Sequence, residues 1–258
     1  MNFKVITRNR IERIYLFAKT DYNLRYYGSK LGVLWSFLNP FFQILVYYFV
    51  FSYLIFRNRD PSFILYLFTG IITWQFFSES TNQAITLFNK QRFVLQNMHL
   101  SKVDFFYSHT ISKFYAYMVS FLIYFIFAQI FFDPQYSWIL MYLIPVFIGL
   151  YLFTLGISLF LATLYIYLRD MIHMWTIILL AGFWLVPIIW DYHIILENYK
   201  FMAYNPITGF LIGIRQITLD NTAPDSDILG GSFIISLIIF MLGYIFMIKK
   251  SKKALEFL

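Results

Sequence analysis

The segment Arg25-Tyr-Tyr-Gly-Ser-Lys-Leu-Gly-Val-Leu-Trp-Ser-Phe-Leu-Asn-Pro40 joins a basic stretch to a long apolar stretch. Before it, from Thr7 onward, apolar side chains recur at helical spacing between basic residues, which is typical of a helix lying in a membrane interface. The apolar run from Val33 to Phe56 is long enough to span a bilayer, and it starts too late for a secretory signal peptide. The junction therefore predicts an interfacial helix leading into a first membrane span.

The composition of the whole chain is that of an integral membrane protein. Hydrophobic residues make up 60% of the 258 residues and charged residues 13%, with a mean hydropathy of +0.66. A soluble domain of this composition would expose far more apolar surface than it could cover. The chain contains no cysteine, which excludes disulfides and thiolate metal sites.

The net charge of +7 is concentrated at the two ends of the chain. Basic residues precede the first predicted span and recur at Lys249, Lys250, Lys252 and Lys253. By the positive-inside rule, both ends are predicted to be cytoplasmic. This placement follows that rule and argues against nucleic acid, so no nucleic acid partner is predicted.

Six apolar stretches fit the charge pattern, which predicts an all-α integral membrane protein with six transmembrane helices. The predicted spans are Val33–Phe56, Phe63–Phe88, Phe105–Phe131, Ile139–Tyr167, Met171–Trp190 and Ser232–Ile248. Between the fifth and sixth spans, the outer segment is predicted to form short half-buried or re-entrant helices, one of them opened by Pro206. The domain organisation is then an interfacial helix over residues 1–32, a transmembrane domain over 33–248 and a basic cytoplasmic tail over 249–258.

Polar residues within the spans mark the candidate translocation path. They lie on one face of each of the first two predicted helices: Ser36, Asn39, Gln43 and Tyr47, then Gln75, Glu79, Asn82 and Thr86. Such stripes line a path or join helices by hydrogen bonds, and both readings stay open. Glu79 is the strongest candidate, although a partner such as Lys113 would make its role structural.

Aromatic residues are unusually frequent, with 32 Phe, 21 Tyr and 6 Trp, or 23% of the chain. Stacking on sugar rings, anchoring at membrane interfaces or a codon bias would each explain their frequency, and all three explanations remain open. The aromatic residues assigned to the path are Tyr47, Phe51, Trp74, Phe77 and Trp184.

Motifs that resemble catalytic sites carry little weight here. His99 and Asp104 have an acyltransferase-like spacing, and Asp225-Ser-Asp227 has a glycosyltransferase-like spacing, but neither is accompanied by a domain that would bind a donor. The four histidines show no metal-ligand spacing. No catalytic residue, metal or cofactor is predicted in this chain. Gly28-Ser-Lys30 lacks the pattern of a phosphate loop, so ATP-driven transport would need another chain to bind ATP.

Five segments together resemble the permeases of ABC transporters that export lipid-linked polysaccharides of the O-antigen, teichoic acid and capsule types. The junction Arg25–Pro40 is similar to the N-terminal motif of that family, and four further segments match in order: Trp74–Ser80, Gln96–Asp104, Arg169-Asp170 and Asn205-Pro206. Many relatives have prolines where His99 and Ser101 stand in this chain.

This resemblance implies a homodimer in the bacterial cytoplasmic (inner) membrane, coupled to a pair of ATPase subunits that bind ATP and Mg²⁺. A coupling helix would include Gln96, Asn97, Met98, His99, Leu100 and Lys102, with a second ATPase contact at Arg169 and Asp170. Residues Arg25, Gly28, Lys30 and Trp35 would meet the lipid-linked headgroup. Cations there suit a pyrophosphate, although ordinary attraction to anionic lipid is the simpler explanation for any one of them.

Two other functions are compatible with these spans. A type-2 ABC exporter of a drug or lipid would share the architecture and differ in cargo. A membrane-bound acyl or glycosyl transferase would belong to a different class, and the weak catalytic motifs argue against it.

Overall fold

In the computed structural model, residues 3–25, 27–55, 60–93 and 101–254 are described, and their regular secondary structure is entirely helical. This confirms the predicted all-α fold. The helices are α1 Phe3–Arg25, α2 Trp35–Tyr48, α3 Phe63–Ile85, α4 Leu87–Lys90, α5 Lys102–Phe132, α6 Leu143–Tyr167, α7 Met171–Leu185, α8 Tyr192–Asn198, α9 Lys200–Ala203, α10 Pro206–Thr218 and α11 Ser226–Ala254. A π-helical segment, Phe49–Ile55, extends α2, and a 3₁₀ turn, Trp138–Tyr142, precedes α6.

Within the described ranges, four helical segments are long and apolar enough to cross a membrane. They are Leu38–Ile55, Lys102–Phe132, Trp138–Tyr167 and Ser226–Lys250, and they correspond to the first, third, fourth and sixth predicted spans. Helix α3 has the length of a span but is less apolar, because polar residues such as Gln75 and Glu79 occupy its second half. Helix α7 is apolar but only 15 residues long.

The predicted fifth span, Met171–Trp190, was wrong at its end, because the helix stops at Leu185. Val186 adopts an extended backbone, with φ −79° and ψ 140°. Pro187 follows it, and a proline both lacks an N–H group and disfavours the helical conformation in the preceding residue. The chain then turns into the segment that contains α8 to α10 rather than continuing the helix.

Helix α3 lies at the centre of the bundle. It packs against α2, α5, α6, α7 and α10, and most of its side chains are buried. The main hydrophobic core forms around it and includes fully buried residues such as Leu67, Ile71 and Leu150. Its polar residues are therefore placed between helices, where hydrogen-bond partners from neighbouring elements are within reach.

The segment between α7 and α11 contains three short helices, α8 to α10. Helix α10 begins as predicted at Pro206, and the side chain of the preceding Asn205 caps it by accepting a hydrogen bond from Ile207 N at 3.2 Å. Nearly every side chain of α10 is buried against α3, α6 and α11. This helix is therefore more enclosed than the half-buried helix expected from the sequence.

Helices α6 and α11 approach each other closely at two glycines. A Cβ atom added to Gly156 would lie 2.6 Å from Phe240 Cα, and one added to Gly243 would overlap the carbonyl oxygen of Gly156. Small residues let helix backbones approach in this way, and the close packing joins the two helices.

We expect the substitution Gly243→Ala to destabilise the protein by about 1–3 kcal/mol, because the added methyl group must push two backbones apart. Gly230→Ala in the same helix is the matched control, since a Cβ atom there meets no atom within 4 Å. Thermal unfolding in detergent would measure both variants. Equal unfolding temperatures for the two would contradict the close contact.

Candidate functional site

Two arginines of α1 bind one buried carboxylate at the start of α5. Arg10 Nε and Nη2 donate to Asp104 Oδ1 at 2.8 and 2.6 Å, and Arg13 Nη2 donates to Asp104 Oδ2 at 3.4 Å. The Asp104 side chain is only 2% exposed, whereas those of the arginines are 46% and 41% exposed. The hydrogen bond to Asp104 raises the pKa of Arg10 above its ordinary value. The first half of α1 is thereby held against α5.

A second set of polar contacts holds the end of α1. Arg25 Nη2 donates to Ser112 Oγ at 3.3 Å and lies 3.6 Å from Asp21 Oδ2, while His109 Nδ1 lies 3.8 Å from the same oxygen. Burial raises the pKa of Asp21, but its contacts with His109, Ser112 and Arg25 outweigh burial and keep the pKa below its ordinary value. Arg25 is therefore fixed at the junction between α1 and α5.

A cavity of about 440 Å³ opens between α1, α2, α3 and α5. Four residues assigned from the sequence to headgroup binding or to the path line it: Arg25, Trp35, Asn39 and Glu79. The other lining residues are Ser29, Pro40, Ile72, Gln75, Phe76, Lys113, Ala116, Tyr117 and Ser120. The cavity is thus walled by cations, one carboxylate, amides, hydroxyls and aromatic rings, a set that can hold a polar ligand bearing an anionic group. We refer to it as the junction cavity.

An ion pair lies in the wall of the junction cavity. Lys113 Nζ donates to Glu79 Oε2 at 2.6 Å, so Glu79 has the partner that the sequence suggested for it. The Lys113 side chain is 2% exposed and that of Glu79 is 51% exposed. The ammonium is therefore enclosed by protein, while the carboxylate reaches it from the open side.

The polar faces of α2 and α3 meet in the folded chain. Gln75 Nε2 donates to Gln43 Oε1 at 2.7 Å, and Asn39 lies in the cavity wall with Gln75. This contact joins the helices, as the structural interpretation of the stripes expects, while Asn39 and Glu79 remain open to the cavity. The Ser36 side chain lies outside the described part of the chain.

The aromatic residues assigned to the path form one cluster around Phe183 of α7, which the sequence did not single out. The ring centre of Phe183 lies 5.7 Å from Tyr47, 6.1 Å from Trp74 and 5.6 Å from Trp184. The cluster continues from Tyr47 to Phe51 at 6.3 Å and from Trp74 to Phe77 at 5.8 Å. Trp74, Phe77 and Phe51 are buried, whereas Trp184 is half exposed. Most of the cluster therefore packs helices together.

Other predicted site residues lie apart from the cavity. Gly28 and Lys30 are exposed in the turn after α1, and Gly28 has φ +79°, a conformation that suits glycine. Arg169 and Asp170 are exposed immediately before α7. Lys102 is the first residue of α5, whereas Gln96, Asn97, Met98, His99 and Leu100 lie outside the described residues. Among the residues in the four described ranges, none form a group of three or more His, Cys, Asp or Glu that could hold a metal ion.

Arg215 of α10 is a charged residue whose role the sequence did not reveal. Its side chain is fully buried, and it donates to the carbonyls of Tyr66 at 3.1 Å, of Ile188 at 2.9 Å and of Pro187. The guanidinium carbon also lies 3.3 Å from the ring centre of Tyr66. Arg215 thus ties α10 to α3 and to the turn that follows α7.

The chain is similar to known membrane transport proteins over most of its length. The sequence profile of the family described as "ABC-2 type transporter" matches residues 13–219. Two relatives from Klebsiella pneumoniae, both named O-antigen export system permease protein RfbA, are 27% identical over 216 and 214 residues. These alignments cover 78% of this chain and 78% and 77% of the relatives. A relative of the same name from Myxococcus xanthus is 25% identical over 214 residues, covering 81% of each chain.

We expect Asp104→Asn to loosen α1 from α5, because the neutral amide loses the charge-assisted contacts with Arg10 and Arg13. Each contact is worth at most about 3 kcal/mol. The chain has no cysteine, so Ala18→Cys, at a buried position of α1, introduces a single thiol. Its maleimide labelling rate should rise at least about fivefold when Asp104→Asn is added. Asp133→Asn, at the exposed far end of α5, is the control and should leave the rate unchanged. An unchanged rate in Asp104→Asn would show that these contacts do not hold α1.

Proposed function

The chain belongs to the ABC-2 type transporter family, and we propose that it is the membrane-spanning permease subunit of an ATP-driven exporter of a lipid-linked polysaccharide. The proposal is supported by the agreement between the family match and the names of the relatives. The family profile covers residues 13–219, and three relatives aligned over most of their length are named as O-antigen export permeases.

In the proposed architecture, six helices cross the bacterial cytoplasmic membrane and both chain ends are cytoplasmic. Helices α3 and α7 are then the second and fifth spans, in addition to the four helical segments with the length and hydropathy of spans. Helix α3 can be less apolar than a lipid-facing span because neighbouring helices surround it. Helices α8 to α10 would lie at the outer face, and α1 at the cytoplasmic interface.

The proposed transporter takes its energy from a separate pair of ATPase subunits and works as a homodimer of this chain. The sequence has no Gly-x₄-Gly-Lys-Ser/Thr phosphate loop that would bind ATP itself. The segment between α4 and α5 that contains Gln96–Leu100 would dock on the ATPase, with Lys102 at its end. Arg169 and Asp170, exposed before α7, would make a second contact.

The junction cavity is the proposed site at which the lipid-linked headgroup is taken up. It lies where α1 meets the first span, and it combines Arg25 and Lys113 with polar and aromatic residues. Cations suit the diphosphate of a carrier lipid, and aromatic faces such as Trp35 suit sugar rings. From the cavity, whose lining includes Asn39 and Glu79, the glycan would pass Gln43 and continue outward beside the aromatic cluster around Phe183.

We expect deletion of the gene to abolish surface polysaccharide, because the proposed transporter carries the lipid-linked polymer across the membrane. Surface glycan would be measured by gel electrophoresis and by lectin or antibody binding to intact cells, with the plasmid-borne gene as the control. A deletion strain with normal surface glycan would exclude polysaccharide export. Loss of resistance to a toxic compound in that strain would favour drug export.

We expect Glu79→Gln to reduce export about tenfold or more, because the amide loses a charge-assisted hydrogen bond worth about 1.5–3 kcal/mol. Surface polysaccharide in the complemented deletion strain would measure the effect, and chemical cross-linking would check that the dimer persists. Glu197→Gln, at an exposed position of α8, is the matched control. Full export by Glu79→Gln would assign this carboxylate a dispensable role.

A further inference from the structure

The two partners of the Glu79–Lys113 ion pair differ greatly in exposure. A purely structural pair does not require such a difference. Lys113 is enclosed, at 2% exposure, while Glu79 is 51% exposed and points into the junction cavity. A buried ammonium without an anionic partner is strongly unfavourable, so Lys113 keeps its charge only while an anion lies beside it. A half-exposed carboxylate, by contrast, loses little when it turns toward water.

The surroundings of Lys113 suit an anion larger than a carboxylate. The cavity volume of about 440 Å³ leaves room beside the pair, and residues with hydrogen-bond donors line it at Arg25, Ser29, Asn39 and Gln75. These come from α1, the turn after it, α2 and α3, so they face the space from several sides. Several convergent donors around a cation are the requirement for binding a phosphoryl group.

The other charged groups near the cavity leave this space cationic. Asp21 is engaged by Arg25 at 3.6 Å and by His109 at 3.8 Å, and it does not line the cavity. Among the described lining residues, Glu79 is thus the one carboxylate, and the cations are Arg25 and Lys113. If Glu79 turned away, Lys113 would face the cavity with no carboxylate of the described lining beside it, while Arg25 would stay paired with Asp21 in the wall.

We propose that Lys113 is a phosphate-binding residue of the junction cavity, and that Glu79 occupies its ammonium until a phosphoryl anion displaces the carboxylate. The inference rests on the proposed function, in which the anion belongs to a lipid-linked substrate. Glu79 Oε2 marks the position that a phosphoryl oxygen takes. Return of Glu79 to Lys113 then favours release of the anion, so the pair exchanges partners at each transport cycle.

This exchange makes binding and export respond in opposite directions to one substitution. Without the carboxylate, the anion binds with no competitor and no like-charge neighbour, so its affinity rises. Its release becomes slower for the same reason, so export falls. A pair that only joined α3 to α5 would lose stability on substitution and gain no affinity for an anion.

The test uses the full chain in nanodiscs of phosphatidylcholine, with inorganic pyrophosphate as the probe and calorimetric titration as the measurement. We expect Glu79→Gln to lower the Kd for pyrophosphate about fivefold or more, and Lys113→Gln to raise it about tenfold or more. The double variant should bind as weakly as Lys113→Gln. Glu197→Gln and Lys200→Gln, at exposed positions of the outer segment, are matched controls and should bind as the unmodified chain does.

Unchanged or weaker binding by Glu79→Gln would overturn the proposal, and this variant stays informative if Lys113→Gln fails to fold, because Glu79 is half exposed. Repeating the titration in phosphatidylglycerol separates two sources of the phosphoryl group. If pyrophosphate no longer binds there, either to the unmodified chain or to Lys113→Arg, the occupant is the phosphodiester of an ordinary lipid. Retained binding supports a diphosphate headgroup. Because binding is measured on the purified chain, a failed exchange is distinguishable from a deletion strain that keeps its surface glycan.

Discussion

A charged side chain removed from water must find its partners within the protein, and this requirement determines how the helices of this chain are joined. Among the described residues, three such side chains are almost fully enclosed: Asp104, Lys113 and Arg215. Asp104 binds arginines of α1, Lys113 binds a carboxylate of α3, and Arg215 binds carbonyls of α3 and of the turn after α7. Each buried charge therefore fixes one element against another at a specific position, which apolar packing alone does not do.

The helices themselves follow from local sequence. A run of apolar residues of sufficient length must satisfy its backbone hydrogen bonds internally in a membrane, so α5, α6 and α11 could be placed from hydropathy alone. Pro206 after Asn205 marked the start of α10 for an equally local reason. The end of α7 was misplaced because hydropathy continued past Leu185, although Pro187 already carried the signal that stops the helix.

The partners of the buried charges were harder to predict, because they come from distant parts of the chain. Arg10 and Asp104 are 94 residues apart, and Glu79 and Lys113 are 34 apart. The polar stripes of α2 and α3 predicted which faces would meet, and Gln43 with Gln75 shows that they do. No pattern in the sequence predicted the partners of Arg215. An arginine in a segment between predicted spans is ordinarily solvated, and only the folded chain shows that Arg215 binds three carbonyls.

Two neighbouring residues of α5 connect the walls of the junction cavity. Ser112 accepts a hydrogen bond from Arg25 of α1, and Lys113 donates one to Glu79 of α3. Consecutive residues of a helix point about 100° apart, so α1 and α3 lie on adjoining sides of α5 with the cavity between them. An anion that binds Arg25 and Lys113 contacts α1 and α5 directly, and by displacing Glu79 as proposed it also acts on α3. Because α3 packs against most of the bundle, a change at this pair reaches the helices that would have to move for a polymer to pass.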